Sequence, residues 1–327
     1  MNKKILIFFI ALFAIQLLAT PHTLEEWRAD AAERYSEYNA IKDIVYKTID
    51  GEELQLDLIL PDGKFYKDGF PVVFVFHGGG WVAGNRFMNF NEAKFKELEF
   101  YTSRGIALAN VSYRFANPEK NLTVKDCVTD CFDAVRYIVK NADKYGIDTS
   151  RMAAYGHSVG GYMALMLAVA PCEKFIGDED LAKYNFKLKC AAPYSGLASF
   201  LNPADEDSNE FYANRPNVKT VMGGKTPAEN KELARSVSAL YLMERDHSPL
   251  LVMHGELDDL SPCKTSELLF DKARSLGWGG EKMTLIIVKG GDHGLGVEAA
   301  RPMREQGEAM RKDYILRFLL DGIESIK

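Results

Sequence analysis

Residues 156 to 160 read Gly156-His157-Ser158-Val159-Gly160, and this stretch decides how the rest of the chain is read. Residues 152–155 before it form a short apolar run of strand composition. Residues 160–170 after it form an apolar helical run stopped by Pro171. A Gly-x-Ser-x-Gly at such a junction predicts a strand-to-helix turn so tight that its flanks tolerate only glycine, with the Ser158 hydroxyl held above a sheet. A second motif lies upstream. His77-Gly78-Gly79-Gly80-Trp81 follows the continuous apolar run 71–76. A glycine loop there can aim backbone N–H groups at a developing oxyanion. The two motifs together, each after a strand-like run, are far more specific than either alone.

Working outward, residues 24–40 carry the pattern of a short amphipathic helix. Residues 41–49 and 54–60 alternate and are joined around Asp50-Gly51, which predicts an antiparallel hairpin. Apolar runs at 71–76, 106–111, 152–155, 188–194, 250–254 and 283–288 then interleave with helical patterns over 123–145, 160–170, 262–276 and 298–323. Strands alternating with helices predict an α/β fold: a mostly parallel central sheet, helices on both faces, right-handed crossovers, and the hairpin at the N-terminal edge. Sites in such sheets form at the carboxyl ends of the strands. The motifs at 77, 158, 258 and 293 all follow strands, so they are expected to converge on one edge. Residues 196–248 are irregular and polar, with Asn202-Pro203, Arg215-Pro216 and Gly223-Gly224. They read as a small lid-like insertion near the site rather than a separate domain.

The chain has 327 residues, 47% of them hydrophobic, enough for a large core. Its formal net charge is −6, and no basic run occurs after the first four residues, which argues against a nucleic-acid surface. Lys3 and Lys4 precede an apolar run over 5–15 that Leu17, Leu18 and Ala19 continue. This predicts a signal peptide over 1–19, export to the periplasm or medium, and one domain over 20–327 with no stable membrane span after cleavage. The apolar run is shorter than the ~20 residues that span a bilayer. Leu17 is a poor residue before a cleavage site, so an uncleaved anchor is the alternative. There are five cysteines, an odd number, so at least one thiol is expected to be unpaired. Cys127 and Cys131 are expected to be small core residues on one helix face. The absence of a CxxC pair with a second Cys or His pair argues against structural zinc, and no metal or other cofactor is expected.

A serine hydroxyl needs a base in hydrogen-bond reach, and the base needs an orienting group. Of six histidines, His293 in Gly290-Gly291-Asp292-His293-Gly294 follows the last strand in a flexible loop and is the expected base. His77 is expected to brace its glycine loop, and His157 to point away from Ser158. His254-Gly255-Glu256-Leu257-Asp258-Asp259 offers the acid. Asp258 is favoured over Asp259 and Glu256 because the loop needs several residues to turn back over the sheet edge. Asp292 adjoins His293 and reads as a turn residue. Backbone N–H groups of Val159, Gly79 and Gly80 are the expected oxyanion donors. Trp81 either walls a substrate pocket or packs in the core. Gly223-Gly224-Lys225-Thr226 looks like the end of a phosphate loop, but Lys219 stands where glycine is required.

On these stretches, together with Val111-Ser112-Tyr113-Arg114, Gly224-Lys225-Thr226-Pro227 and Ser248-Pro249-Leu250, the sequence resembles the α/β-hydrolase superfamily. It is most similar to the esterase/lipase group with an HGGGW-type loop, which includes bacterial feruloyl and acetyl-xylan esterases. The resemblance covers roughly residues 45–325. It implies Ser158 as nucleophile, His293 as base, Asp258 as acid, and Gly79, Gly80 and Val159 at the oxyanion hole. It implies cofactor-free, two-step hydrolysis of a small ester or an esterified carbohydrate carrying short acyl or feruloyl groups. Val159 stands where many relatives carry Ala, and Ser236-Val237-Ser238-Ala239 lacks their Ser-Pro pair. Rival readings are an aryl-formamidase or peptidase-like amide hydrolase on the same fold, a non-catalytic binding protein, and acyl transfer to an alcohol. The oligomeric state is not legible.

Overall fold

The computed structural model describes residues 24–63, 66–89, 92–204, 216–280, 282–295 and 301–321; the expected signal peptide lies outside them. Among the described residues eight strands form one sheet: β1 (Asn39–Ile49), β2 (Glu52–Leu60), β3 (Phe70–Phe76), β4 (Ala107–Val111), β5 (Ile147–His157), β6 (Cys190–Tyr194), β7 (Leu250–Gly255) and β8 (Met283–Val288). Their spatial order is β1-β2-β4-β3-β5-β6-β7-β8. The β1–β2 and β2–β4 pairs are antiparallel, and every pair from β4 to β8 is parallel. The hairpin turn at Asp50 and Gly51 has positive φ at both residues, 50° and 79°, as a two-residue turn matching the strand twist requires.

The central strands are apolar on both sides because both faces are covered. Along β3, Val72, Phe74 and Phe76 enter one core, while Val73 and Val75 enter the other. The first face carries α3 (Val124–Lys140) and α4 (Val159–Val169); the second carries α2 (Glu92–Thr102) and α9 (Arg301–Leu320). A further helix, α1 (Leu24–Tyr35), precedes the sheet. Every residue of α4 is buried, as a helix apolar all round requires. Helix α3 starts at a capping box between Thr123 and Asp126. Its stripe of Val124, Cys127, Val128, Cys131, Val135 and Ile138 is fully buried. Among the described residues all five cysteines are free thiols, and Cys127 and Cys131 are buried.

A buried charge network ties the hairpin to α3. Lys47 Nζ on β1 donates to Asp130 at 2.9 Å and to Asp133 at 2.8 Å. Arg114 pairs with Asp130 at 2.8 Å and Arg136 with Asp133 at 3.0 Å.

Five differences from the sequence reading stand out. The first helix ends at Tyr35, because the chain joins β1 from Asn39. Strand β5 begins at Ile147, well before its apolar segment. The helix over 123–145 breaks at Asn141, and a single turn (Ala142–Tyr145) follows, ended by Gly146 in the left-handed conformation. Helix α2 is absent from the sequence reading because its Glu and Lys residues break up the apolar pattern; Leu98 and Tyr101, three apart, are buried where it docks. Among the described residues of 196–248 there are three short helices, α5 (Pro216–Val221), α6 (Lys231–Ser236) and α7 (Ala239–Leu242), with residues such as Phe200, Val221 and Ala239 fully buried. The described part of that segment is therefore partly helical and packed rather than irregular throughout. Helix α8 (Cys263–Ser275) follows β7. No helix among the described residues is long and apolar enough to cross a membrane.

Candidate active site

The loops after β3, β5, β6, β7 and β8 meet at the carboxyl edge of the parallel sheet. Ser158 caps the N-terminus of α4 with φ 59° and ψ −123°, a conformation that costs a non-glycine residue roughly 1–3 kcal/mol. Close packing fixes it. A Cβ on Gly160 would lie 2.1 Å from Phe76 O, and one on Gly156 2.4 Å from the Gly160 carbonyl carbon. Only glycine lets α4 pack this tightly against β3 and β5. The Ser158 N–H donates to Tyr194 O at 3.0 Å, so the strained turn is also pinned to β6.

The structure brings Ser158, His293 and Asp258 into one hydrogen-bonded line. His293 Nε2 is 2.8 Å from Ser158 Oγ, and His293 Nδ1 is 2.8 Å from Asp258 Oδ2 and 3.0 Å from Oδ1. Asp258 Oδ1 also accepts the N–H groups of Leu260 and Ser261, at 2.9 and 2.8 Å. Burial works to raise the Asp258 pKa, but hydrogen bonds from His254, His293 and the Ser261 N–H outweigh it and hold the carboxyl well below the usual carboxylate range. Asp259 is exposed. Glu256 instead accepts the Gly290 N–H at 2.8 Å, stitching the loop after β7 to the one after β8.

Two histidines support this line in ways the sequence reading did not assign. His254 is fully buried at the end of β7. Its Nε2 lies 3.1 Å from Asp258 Oδ2 and 2.7 Å from Ser261 O, and its Nδ1 is 2.8 Å from Ser266 Oγ. The signal was a His four residues before an acid, but it means nothing until the loop folds back. His157 Nε2 is 2.7 Å from His293 O, which fixes the backbone of that loop, and its ring stacks on Tyr194 at 4.9 Å. His77 braces its loop: Nδ1 is 2.7 Å from Gly78 O, and the ring stacks on Tyr113 at 4.3 Å.

A cavity of about 160 Å³ opens against Ser158 and His293. Gly80 and Val159 border it; Gly79 sits one residue back, folded so closely that a Cβ would lie 2.0 Å from Ala83 O. Gly79, Gly80 and Trp81 have φ of 121°, 63° and 64°, which curls the backbone over the serine. Trp81 lines the cavity and also packs against Tyr162 and Phe200, with ring centroids at 5.1 and 5.5 Å. Leu197, Asn217 and Val218, from the 196–248 segment, form another wall. Among the described residues no group of three or more His, Cys, Asp or Glu is placed to hold a metal ion. A hydroxyl, an imidazole and a carboxylate in series beside a small cavity can relay a proton off the hydroxyl as it attacks a carbonyl.

This fold and this arrangement are those of the esterase/lipase class of α/β-hydrolases. The chain belongs to the BD-FAE family, whose model matches residues 56–273. An ethyl acetate hydrolase from Pseudomonas putida is 32% identical over 44% of this chain and 43% of its own length. The chain spans less than half the length of the first curated relatives it matches, 30% to 43%. Among solved structures, a truncated carbohydrate esterase from gut microbiota superposes with a TM-score of 0.66 at 20% identity, covering 84% of this chain and 97% of that one. A thermophilic esterase of Thermogutta terrifontis superposes with a TM-score of 0.67 at 20% identity, covering 86% of this chain and 94% of that one. At that identity the likeness is one of fold.

Proposed function

We propose that this protein is an exported serine carboxylic-ester hydrolase that works through an acyl-enzyme on short-acyl esters, including those of carbohydrates. The observation that carries the reading is the unbroken line from Ser158 Oγ through His293 to Asp258 at the wall of a cavity. Ser158 Oγ attacks the ester carbonyl carbon as its proton passes to His293 Nε2. The imidazolium is stabilised by Asp258, which accepts the Nδ1–H. The oxyanion accepts N–H groups from Val159, Gly80 and Gly79, with the N-terminus of α4 adding its dipole. Collapse expels the alcohol, which takes the proton from His293. Water then repeats the sequence on the acyl-enzyme and frees Ser158. The ester-hydrolase names of relatives and the small cavity support the ester and short-acyl parts of this reading. The carbohydrate part draws on the gut carbohydrate esterase that shares the fold, and export on the Lys3–Ala19 pattern.

The test is hydrolysis of p-nitrophenyl acetate and butyrate, and of the matching anilides, beside Ser158→Ala. Wild type should turn over esters faster than anilides, and the variant should lose about 10⁴- to 10⁶-fold in kcat/KM. Equal inertness of both proteins would sink the reading and favour a binding protein.

A further inference from the structure

Asn217, on α5, borders the cavity together with Ser158 and His293. It is partly exposed, and among the described residues its amide has no hydrogen-bond partner. Trp81, Ser195 and Ser261 also belong to the lining, but their indole N–H and hydroxyls are buried out of its reach. Asn217 is therefore the polar side chain, besides Ser158 and His293, that a molecule bound here meets.

The amide nitrogen faces the glycine loop. A Cβ on Gly80 would lie 2.8 Å from Asn217 Nδ2 and 3.9 Å from its Cγ. Glycine at position 80, held at φ 63°, keeps that space clear. Helix α5 fixes the other side. Val218 and Val221 are buried in the core, the Gly224 N–H donates to Lys219 O at 2.8 Å, and Asn230 Nδ2 donates to Met222 O at 3.2 Å.

The Gly80 N–H also donates to no described group. A Cβ stands about 2.5 Å from its own backbone nitrogen, so Asn217 Nδ2 lies within about 5.3 Å of Gly80 N. Two donors that share one oxygen at hydrogen-bond distance stand no more than about 5.8 Å apart. These two N–H groups are close enough to serve a single oxygen. An amide nitrogen donates and does not accept, so its complement is an acceptor. In an ester attacked by Ser158, the acceptor that gains charge beside Gly80 is the carbonyl oxygen.

We infer that Asn217 is a further catalytic residue, whose side-chain amide donates a hydrogen bond to the oxyanion beside the backbone N–H of Gly80. The inference rests on the proposed ester hydrolysis, because the oxyanion exists only while Ser158 adds to a carbonyl. Every ester carries the oxygen that Asn217 serves, so the contact is independent of which half of the substrate fills the cavity.

The experiment compares wild type with Asn217→Leu and Asn217→Asp on p-nitrophenyl acetate, p-nitrophenyl butyrate and methyl butyrate, with Tm recorded for each protein. Asn217→Leu should lose about 10- to 100-fold in kcat on all three esters, with KM little changed. Asn217→Asp sets a carboxylate against the oxyanion and should lose more. Propyl trifluoromethyl ketone adds to Ser158 as a tetrahedral adduct with the same oxyanion. It should bind each variant more weakly by the factor that kcat/KM falls. Unchanged rates, a loss confined to KM or to one ester, a loss not matched in the Ki of the ketone, or Asn217→Asp no worse than Asn217→Leu overturns the inference. If wild type hydrolyses no ester, the hydrolase reading falls, and the ketone still decides the contact. Tighter binding by wild type than by both variants upholds it; equal or absent binding overturns it.

Discussion

Asp258 serves two imidazoles and two backbone N–H groups at once, and this crowding defines its chemistry. Asp258→Asn should lower kcat by about 10⁴-fold, because an amide at this point favours the wrong tautomer of His293. The pH dependence follows from the depressed pKa. A carboxyl lowered in the folded state contributes stability above its unfolded pKa, about 3.9, and loses it as pH falls through the folded value. The urea midpoints of wild type and Asp258→Asn should therefore differ most at neutral pH and converge only below about pH 4. The wild-type pH–rate profile should show no inflection from Asp258 above that point. His254 is a positioning residue. His254→Leu should lower kcat by up to about 10²-fold through misplacement of Asp258 while KM changes little, and His254→Gln, which keeps a donor, should recover part of the loss. Steady-state kinetics on p-nitrophenyl butyrate checks both. Ser158, His293 and Asp258 were legible in the sequence because each sits at a fixed distance after an apolar strand. His254 was not, because its importance comes from a loop that folds back on it.

At the scale of elements, strands with apolar runs and the α3 stripe were legible because burial on both sheet faces leaves a direct mark on sequence. Helix α2 was hidden because, among its described side chains, the two buried apolar ones, Leu98 and Tyr101, make too weak a period on a charged helix. The helices of the 196–248 segment were hidden because they are a turn or two long and owe their order to tertiary packing. Helix α3 leads to a direct test. Its capping box satisfies the first N–H groups with the Thr123 and Asp126 side chains, so Thr123→Ala should cost about 1 kcal/mol and lower Tm by about 2 °C in a thermal melt.

For the molecule as a whole, the antiparallel hairpin is tied to α3 by buried charge as well as to the parallel sheet by β2–β4 pairing. Lys47 is the only cation that the network draws from β1. Burial works against its charge, and Asp130 and Asp133 overcome this, raising its pKa. Lys47→Met would leave both carboxylates short of a partner and should destabilise the fold by about 3–5 kcal/mol, read from urea denaturation at neutral pH.

The free thiols give the molecule its own opening gauges. Cys127 and Cys131 lie inside the core on one face of the sheet and Cys190 inside the core on the other. Burial raises all three thiol pKa values, so they stay protonated and inert while closed. An alkylating reagent reaches each only when its own layer parts from the sheet. The order in which they are labelled therefore tells which layer loosens first, without any probe being engineered into the chain.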